Sequence, residues 1–359
     1  MSISSKARIE RAPFGRMPDG TMVERIVLRG AEGFEAAIIP YGAVLHTLHV
    51  RDRAGKIDDI VLGHDTFDEY LAQRKFLGAT IGRYANRIAG ARFKLDGRMH
   101  QLDANNGPNM LHGGNDGFDR KLWRIVEASE TPEPSVVLAY TSADGEGGFP
   151  GKLEARVTYR VTGPAELAVT FEATSDRATM VNLTNHSFFN LDGALSESQI
   201  LDHRIRIAAD RFLATDATSI PLPGSPQPVA GTPFDFRKLE AICSRIRTDH
   251  EQLRRGRGYD HNYCLVPGDG ARLAARVESP HSGRVMELLT NQAGLQFYSG
   301  NFLDGTLCGK GGRLYRQSDA FCLEPQAWPD TPNRPDFPSA RLDPGQTYRH
   351  ETVYRFSLV

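Results

Sequence analysis

His186 and Glu324 are the two side chains in this chain best suited to moving a proton. His186 lies in NLTNHSFFNL (182–191), which sets one histidine, three asparagines, a threonine and a serine among two phenylalanines and bracketing leucines. Glu324 lies in FCLEPQAWPDTPN (321–333), where it closes an apolar run just before Pro325. A carboxylate there is costly unless it is paired or used. Imidazole and carboxylate have ordinary pKa values on either side of about 5.5. Near neutrality one can accept a proton while the other donates, which suits a reaction that only moves protons.

Four other segments could supply hydrogen bonds to a polar ligand. GRYANRIAGARF (82–93) sets Asn86 beside Arg87, an amide next to a rigid fork of donors. NMLHGGNDGFDR (109–120) puts His112 before two glycines, which tolerate left-handed backbone and let a ligand come close. YDHNY (259–263) embeds Asp260 and His261 between tyrosines, and GLQFYSGNFLDG (294–305) presents Gln296 with Phe297 and Tyr298. Each also has a structural reading: a surface arginine at a turn, a histidine beside a turn, a buried aspartate. The segment 182–191 has three readings, since it holds two glycosylation sequons and its mixture could belong to core or to a cleft wall.

Several function classes are disfavoured. His46 and His49 are three apart on a strand-like segment and would face opposite sides, so no metal site is expected. No GxGxxG follows a strand, and there is no GxxxxGK[ST] or GxSxG, which removes support for nucleotide cofactors and a nucleophile elbow. The 43 Lys and Arg against 44 Asp and Glu leave a net charge of −1, so nucleic acid is not an expected partner. RIRTDHEQLRRGRG (245–258), the densest basic stretch, reads as a solvated loop. No run nears the roughly 18 apolar residues of a membrane span. The N-terminal residues lack an apolar signal region, and the four scattered cysteines form no CxxC pair. A cytoplasmic protein with unused sequons is expected.

The elements that must position these residues are strands. TMVERIVLRG (21–30), FEAAIIPYGAVLHTLHVRD (34–52), SVVLAYTSAD (135–144), LEARVTYRVTG (153–163) and ELAVTFEATS (166–175) alternate apolar and polar residues. The same pattern continues through the second half and closes with ETVYRFSLV. Only TFDEYLA (66–72) and KLEAICSRI (238–246) look helical, and GSPQPVAGTP (224–233) reads as a long loop and not as a linker. The expectation is an all-β fold, a large antiparallel sandwich formed by residues 1–359 as one domain.

Taken in order, GRYANRI, LHGG, NLTNHSFFNL, YDHNY, QFYSGNF and CLEPQAWPD resemble the aldose 1-epimerase (galactose mutarotase) family, and the match extends through GEGGFPG, GTPFDFR and NRPDFPSARLDPGQTY. The resemblance implies a large antiparallel β-sandwich that needs no cofactor. It implies that His186 protonates the sugar ring oxygen and that Glu324 takes the proton from the C1 hydroxyl. His112 would assist near the reacting oxygens. Asn86, Arg87, Asp260 and Gln296 would hold hydroxyls, while Phe188 and Phe297 pack the ring. The partner would be a small aldose such as galactose or glucose, with the protein a monomer or homodimer. Two positions depart from the family's pattern and bear on the preferred sugar: Phe188, where many relatives carry tyrosine, and Tyr84, where relatives carry a smaller apolar residue. The competing readings are a non-catalytic sugar-binding sandwich and a hexose-6-phosphate 1-epimerase. The second should demand a cluster of cations at the cleft rim, for which Arg87 is the only clear candidate.

Overall fold

The computed structural model describes residues 8–224, 226–266, 268 and 270–359. The alternating segments form antiparallel strands with the expected period. In Leu153–Gly163, Leu153, Ala155, Val157, Tyr159 and Val161 are buried, while Glu154, Arg156 and Arg160 are exposed. A strand turns successive side chains to opposite faces, so this pattern commits one face to the core. Each large apolar side chain buried there contributes about 1.5–3 kcal/mol.

Three sheets share one apolar core. Arg8–Arg16, Met22–Arg29, Glu35–Ile39, Val44–Arg51 and Ile57–Asp59 form a five-stranded meander. A nine-stranded sheet runs Arg124–Ser129, Ser135–Ser142, Leu153–Gly163, Glu166–Ser175, Tyr348–Leu358, Arg284–Thr290, Arg272–Glu278, Arg204–Ile207, Glu240–Ala241. The C-terminal strand Tyr348–Leu358 sits at its centre, between Glu166–Ser175 and Arg284–Thr290. The third sheet runs Gln227–Pro228, Ala209–Phe212, Asp260–Leu265, Gly294–Tyr298, Cys322–Gln326. Leu45 and Leu48 from the first sheet, Val157 and Phe171 from the second, and Tyr263, Leu295, Phe297 and Leu323 from the third belong to the same buried cluster.

The helix expected at 66–72 forms over Phe67–Ala72, started by a capping box in which the Thr66 hydroxyl and the Glu69 carboxylate each accept the other's backbone N–H. The one expected at 238–246 does not form. Glu240–Ala241 instead pairs with Arg204–Ile205, and a short 3₁₀ turn follows at Ile242–Ser244. Sheet pairing overrides a weak local preference there. The second α-helix, Glu251–Gly256, lies inside the stretch read as a solvated loop. His250 caps it through Nδ1, Arg254 and Arg255 complement the dipole in its last turn, and Gln252 and Leu253 are buried. Within 224–233, Gln227–Pro228 pairs with Arg211–Phe212, which ties the segment to the third sheet. Among the described residues no helix is long and apolar enough to cross a membrane.

Two short strand pairs bring further side chains to the open face of the third sheet. Thr184–His186 pairs with Ala79–Ile81, and Arg87–Ile88 pairs with Met110–Leu111.

Candidate active site

The third sheet supplies one wall. Its register sets Asn262 opposite Gln296 and Gln296 opposite Glu324. Residues directly opposite share a face, and so do residues two apart, so Asp260, Gln296, Tyr298, Cys322 and Glu324 all project from the side away from the core. The Gln296 amide Nε2 donates to Asp260 Oδ1 at 2.7 Å. Gln296 Oε1 and Glu324 Oε2 are buried without a hydrogen-bond partner from the protein. Such atoms are normally satisfied, and a ligand rich in hydroxyls would satisfy both.

His186 faces this wall from its own strand. Its Nε2 lies 3.7 Å from Glu324 Oε1, and its Nδ1 lies 3.6 Å from Cys322 Sγ. Phe188 stacks on the ring at 5.0 Å between centroids and Phe76 at 5.8 Å, with His112 edge-on at 5.2 Å. The remainder of 182–191 is core. Asn182 Nδ2 donates to Ala85 O and its Oδ1 accepts from Ala327 N, while Asn185 Nδ2 donates to Gly78 O. Both sequon amides are thus buried and used, and only His186 and Phe188 of this segment line the cavity.

The opposite wall is a turn held by reciprocal bonds. The Asn86 backbone N–H donates to His112 Nδ1 at 3.2 Å, and the His112 N–H donates to Asn86 O at 3.0 Å. Asn86 Oδ1 accepts the Arg87 N–H, and Arg87 Nε donates to Asn106 Oδ1 at 3.0 Å. Asn86 and His112 have φ of 64° and 51°, left-handed values that cost about 1–2 kcal/mol outside glycine and concentrate at functional sites. Gly113 is needed for packing, because a Cβ there would sit 1.9 Å from Gly82 O. Its close approach is to the chain and not to a ligand.

These bonds settle what His112 can do. With Nδ1 accepting an N–H, the neutral ring carries its proton on Nε2 and acts as a donor. Ligand atoms of His112, His186 and Glu324 lie within 4.8 Å of one another, a spacing that would also admit a cation. A metal-bound histidine, however, donates its second N–H to an acceptor, and His112 has the reverse arrangement. The donor set therefore fits an oxygen of a neutral ligand better than a metal ion.

Burial drives the charges off both central groups. It pushes the His186 imidazole down to about 4. Burial, then the neighbouring Asp260, pushes the Glu324 carboxyl well above its usual range, against a smaller pull from Arg87. Asp260 is raised by burial and held back by Arg87 and Gln296. His112 is kept neutral by burial, with His186 and the nearby arginines adding to the effect. Both shifts work against the charged pair, moving it toward neutral imidazole and protonated carboxyl and away from the carboxylate that an ordinary pKa would give. Transfer of one proton between the two groups, 3.7 Å apart, would connect this state to imidazolium and carboxylate.

The walls enclose a cavity of about 420 Å³, which opens to solvent beside Phe302, a phenylalanine 47 % exposed. The chain matches the aldose 1-epimerase family model over residues 24–355. It is 44 % identical to the galactose mutarotase of Rattus norvegicus, over 98 % of this chain and 99 % of that protein. It is 40 % identical to the aldose 1-epimerase of Escherichia coli K12, over 94 % and 96 %. The chain belongs to the aldose 1-epimerase family. Among solved structures, an aldose epimerase homologue from C. elegans superposes with a TM-score of 0.85 at 34 % identity, covering 93 % of this chain and 99 % of that one. A galactose 1-epimerase from Lactobacillus acidophilus gives 0.86 at 26 %, covering 98 % and 99 %.

In this aldose 1-epimerase family member, Asn86, Arg87, His112, His186, Phe188, Asp260, Gln296 and Glu324 all line the one cavity. Phe297 does not. It lies between Gln296 and Tyr298 on the strand, so it points into the core, where it stacks on Tyr259 at 5.3 Å. Tyr84 is also buried away from the cavity and donates to Trp328 O, so it takes no part in the lining. His261 likewise faces inward, against Gln252. The opposite faces expected for His46 and His49 are not kept. Ile38 pairs with Leu45 but Ala37 with Thr47, so a β-bulge at His46 breaks the alternation. His46 is buried against Phe14 and Tyr70, while His49 stands beside Glu35.

The aromatic lining comes instead from Phe76, Phe188, Tyr298 and Phe302. Tyr298 was within reach of sequence reasoning, since it shares parity with Gln296. Phe76, Phe302 and Asn106 come from loops and carry no local signal. Arg74 and Lys75 join Arg87 at the cavity, so Arg87 is not the only cation there. Arg74 is bidentate to Asp119 at 2.7 and 2.8 Å, which leaves Lys75 and Arg87.

Proposed function

We propose that the protein interconverts the α and β anomers of free aldoses, galactose or glucose among them, with Glu324 and His186 as base and acid. The mutarotase activity accords with the family to which the chain belongs. The observation that supports the residue roles best is the approach of His186 Nε2 and Glu324 Oε1 to 3.7 Å inside a cavity of hydroxyl-binding groups. Glu324 takes the proton of the C1 hydroxyl while His186 Nε2 gives one to the ring oxygen. The C1–O5 bond breaks, the aldehyde rotates about C1–C2, and reversed transfers close the ring as the other anomer. His112 Nε2–H donates to an oxygen near the reacting centre. Asn86, Arg87, Asp260 and Gln296 bind the other hydroxyls, and Phe188 packs against the ring.

The charged reactive form costs more in the empty cavity than with a sugar present, because sugar hydroxyls hydrogen-bond to charged groups and restore part of the lost solvation. Acid and base catalysis each contribute about 10²–10⁴-fold, which needs no covalent intermediate. Residues 1–359 are read as one domain, and the four free cysteines suit a reducing cytoplasm. Polarimetry of freshly dissolved α-D-galactose and α-D-glucose tests the proposal. Acceleration well above buffer is expected, and its absence for every common aldose would favour the sugar-binding sandwich. Glucose should be preferred to glucose 6-phosphate, since Arg74 is held by Asp119.

A further inference from the structure

Cys322 and Glu324 are two apart on one strand and together bracket the imidazole of His186. Glu324 Oε1 faces Nε2 at 3.7 Å, and Cys322 Sγ faces Nδ1 at 3.6 Å. The sulfur distance lies within the range of a hydrogen bond to sulfur. Cys322 is fully buried and packs with Phe188 and Tyr298, which line the cavity, though it does not itself line it.

We propose that Cys322 is a positioning residue whose sulfur accepts the Nδ1 proton of His186 and thereby makes Nε2 the atom that exchanges protons with the sugar. The assignment rests on His186 being the acid. Which ring nitrogen of a histidine carries the proton is set by the bond that the other nitrogen makes. A ring with Nδ1–H on Cys322 presents a bare Nε2 to the protonated Glu324 carboxyl. A single proton transfer then gives imidazolium and carboxylate, and when Nε2 gives its proton to the ring oxygen the Nδ1–H bond is unchanged. The opposite tautomer would need the Nδ1 proton to enter from the core side on every turnover.

A thiol suits this position for two reasons. Burial, with Glu324 and Asp260 adding to it, raises the thiol well above its ordinary pKa, so Cys322 adds no negative charge beside the base. A sulfur acceptor is also weak, so it orients the ring without raising the basicity of Nε2 as a carboxylate would. The titratable groups closest to His186 include Glu324, His112 and Cys322, and Asp260, Arg74, Lys75 and Arg87 line the same cavity.

The test pairs two variants with a direct reading of the tautomer. Nitrogen-15 NMR of histidine-labelled wild-type protein, with His186 assigned by its loss in His186→Asn, should place the neutral-form proton on Nδ1. Finding it on Nε2 would overturn the proposal whatever the activities. Cys322→Val should lower kcat about tenfold, the worth of roughly one hydrogen bond, with KM within about twofold. Cys322→Ser should recover kcat to within about threefold and move the acid limb of the pH profile upward, because a hydroxyl is the stronger acceptor and makes the His186 ring more basic. A Val variant with wild-type kcat, or a Ser variant as impaired as Val, would refute the role. Should His186→Asn keep wild-type turnover, the acid assignment itself falls, an outcome distinct from failure at Cys322.

Discussion

Glu324→Gln separates chemistry from folding more cleanly than any other change at this site. The substitution keeps the shape of a side chain that is 3 % exposed and removes its capacity to take a proton. Loss of a positioned base costs about 10²–10⁴-fold in kcat, or about 3–5 kcal/mol of transition-state stabilisation. Stability should move the other way. Glu324 Oε2 has no protein partner, and an unsatisfied buried acceptor costs about 1–3 kcal/mol. The new amide N–H sits on the residue directly opposite Gln296, whose Oε1 is also unpartnered. Tm should therefore hold or rise by about 2 °C. Polarimetry at saturating galactose gives kcat, and scanning calorimetry gives Tm. A folded variant within tenfold of wild-type kcat would refute the role of Glu324 as base. Loss of activity together with a large fall in Tm would show that the carboxyl is structural.

Other expectations follow from the same geometry. The pH profile of kcat/KM should be bell-shaped and belong to the His186–Glu324 pair as a unit, with the acid limb near the depressed histidine value of about 4 and the alkaline limb set by the raised carboxyl; an alkaline limb at the ordinary histidine value would contradict the neutral resting pair. Stability should fall on acidification from pH 7 to 5, because buried His46, His186, His203, His261 and His350 are held at about 3 or 4 while the unfolded chain protonates near 6.5. Each such histidine supplies stability that is present above about pH 6.5 and lost toward its folded value, of order 1–2 kcal/mol by pH 5, whereas Asp260 and Glu324, raised by burial, act in the opposite sense. A Tm that is flat or rising on acidification would refute this balance. Phe297→Ala should cost about 3–5 kcal/mol of stability, measured by urea unfolding, whereas Phe188→Tyr should leave stability nearly unchanged and alter the ratio of galactose to glucose turnover. The reverse pattern would mean that the two faces of the sheet have been misassigned.

The sequence carried the fold class and the polar residues of the site because both depend on local pattern: period-two alternation for the strands, and costly polar residues set among apolar ones for the cavity. It was less informative about direction. Phe297 looked like a ring-packing aromatic because it neighbours Gln296, yet on an unbroken strand the parity that turns Gln296 and Tyr298 to the cavity sends Phe297 to the core. The helix at 251–256 was hidden in a charged stretch, where its burial depends on Gln252 and Leu253 meeting a surface far away in sequence. Phe76 and Phe302 reach the cavity from loops, where tertiary placement alone decides what they touch. The proton balance of His186 and Glu324 was not legible either, since burial and Asp260 reverse what the isolated side chains would do.

The strand Cys322–Gln326 carries Cys322, Glu324 and Gln326 on one side and Leu323 and Pro325 on the other. Insertion or deletion of one residue there would bring Leu323 to the sugar and bury the carboxylate in the core. Catalytic and structural requirements are thus interleaved at single-residue spacing. The segment can vary by substitution but not by sliding, and a chain that pairs this strand out of step loses its chemistry and its packing together. Folding in the correct register and acquiring the proposed acid–base pair are, for this protein, a single event.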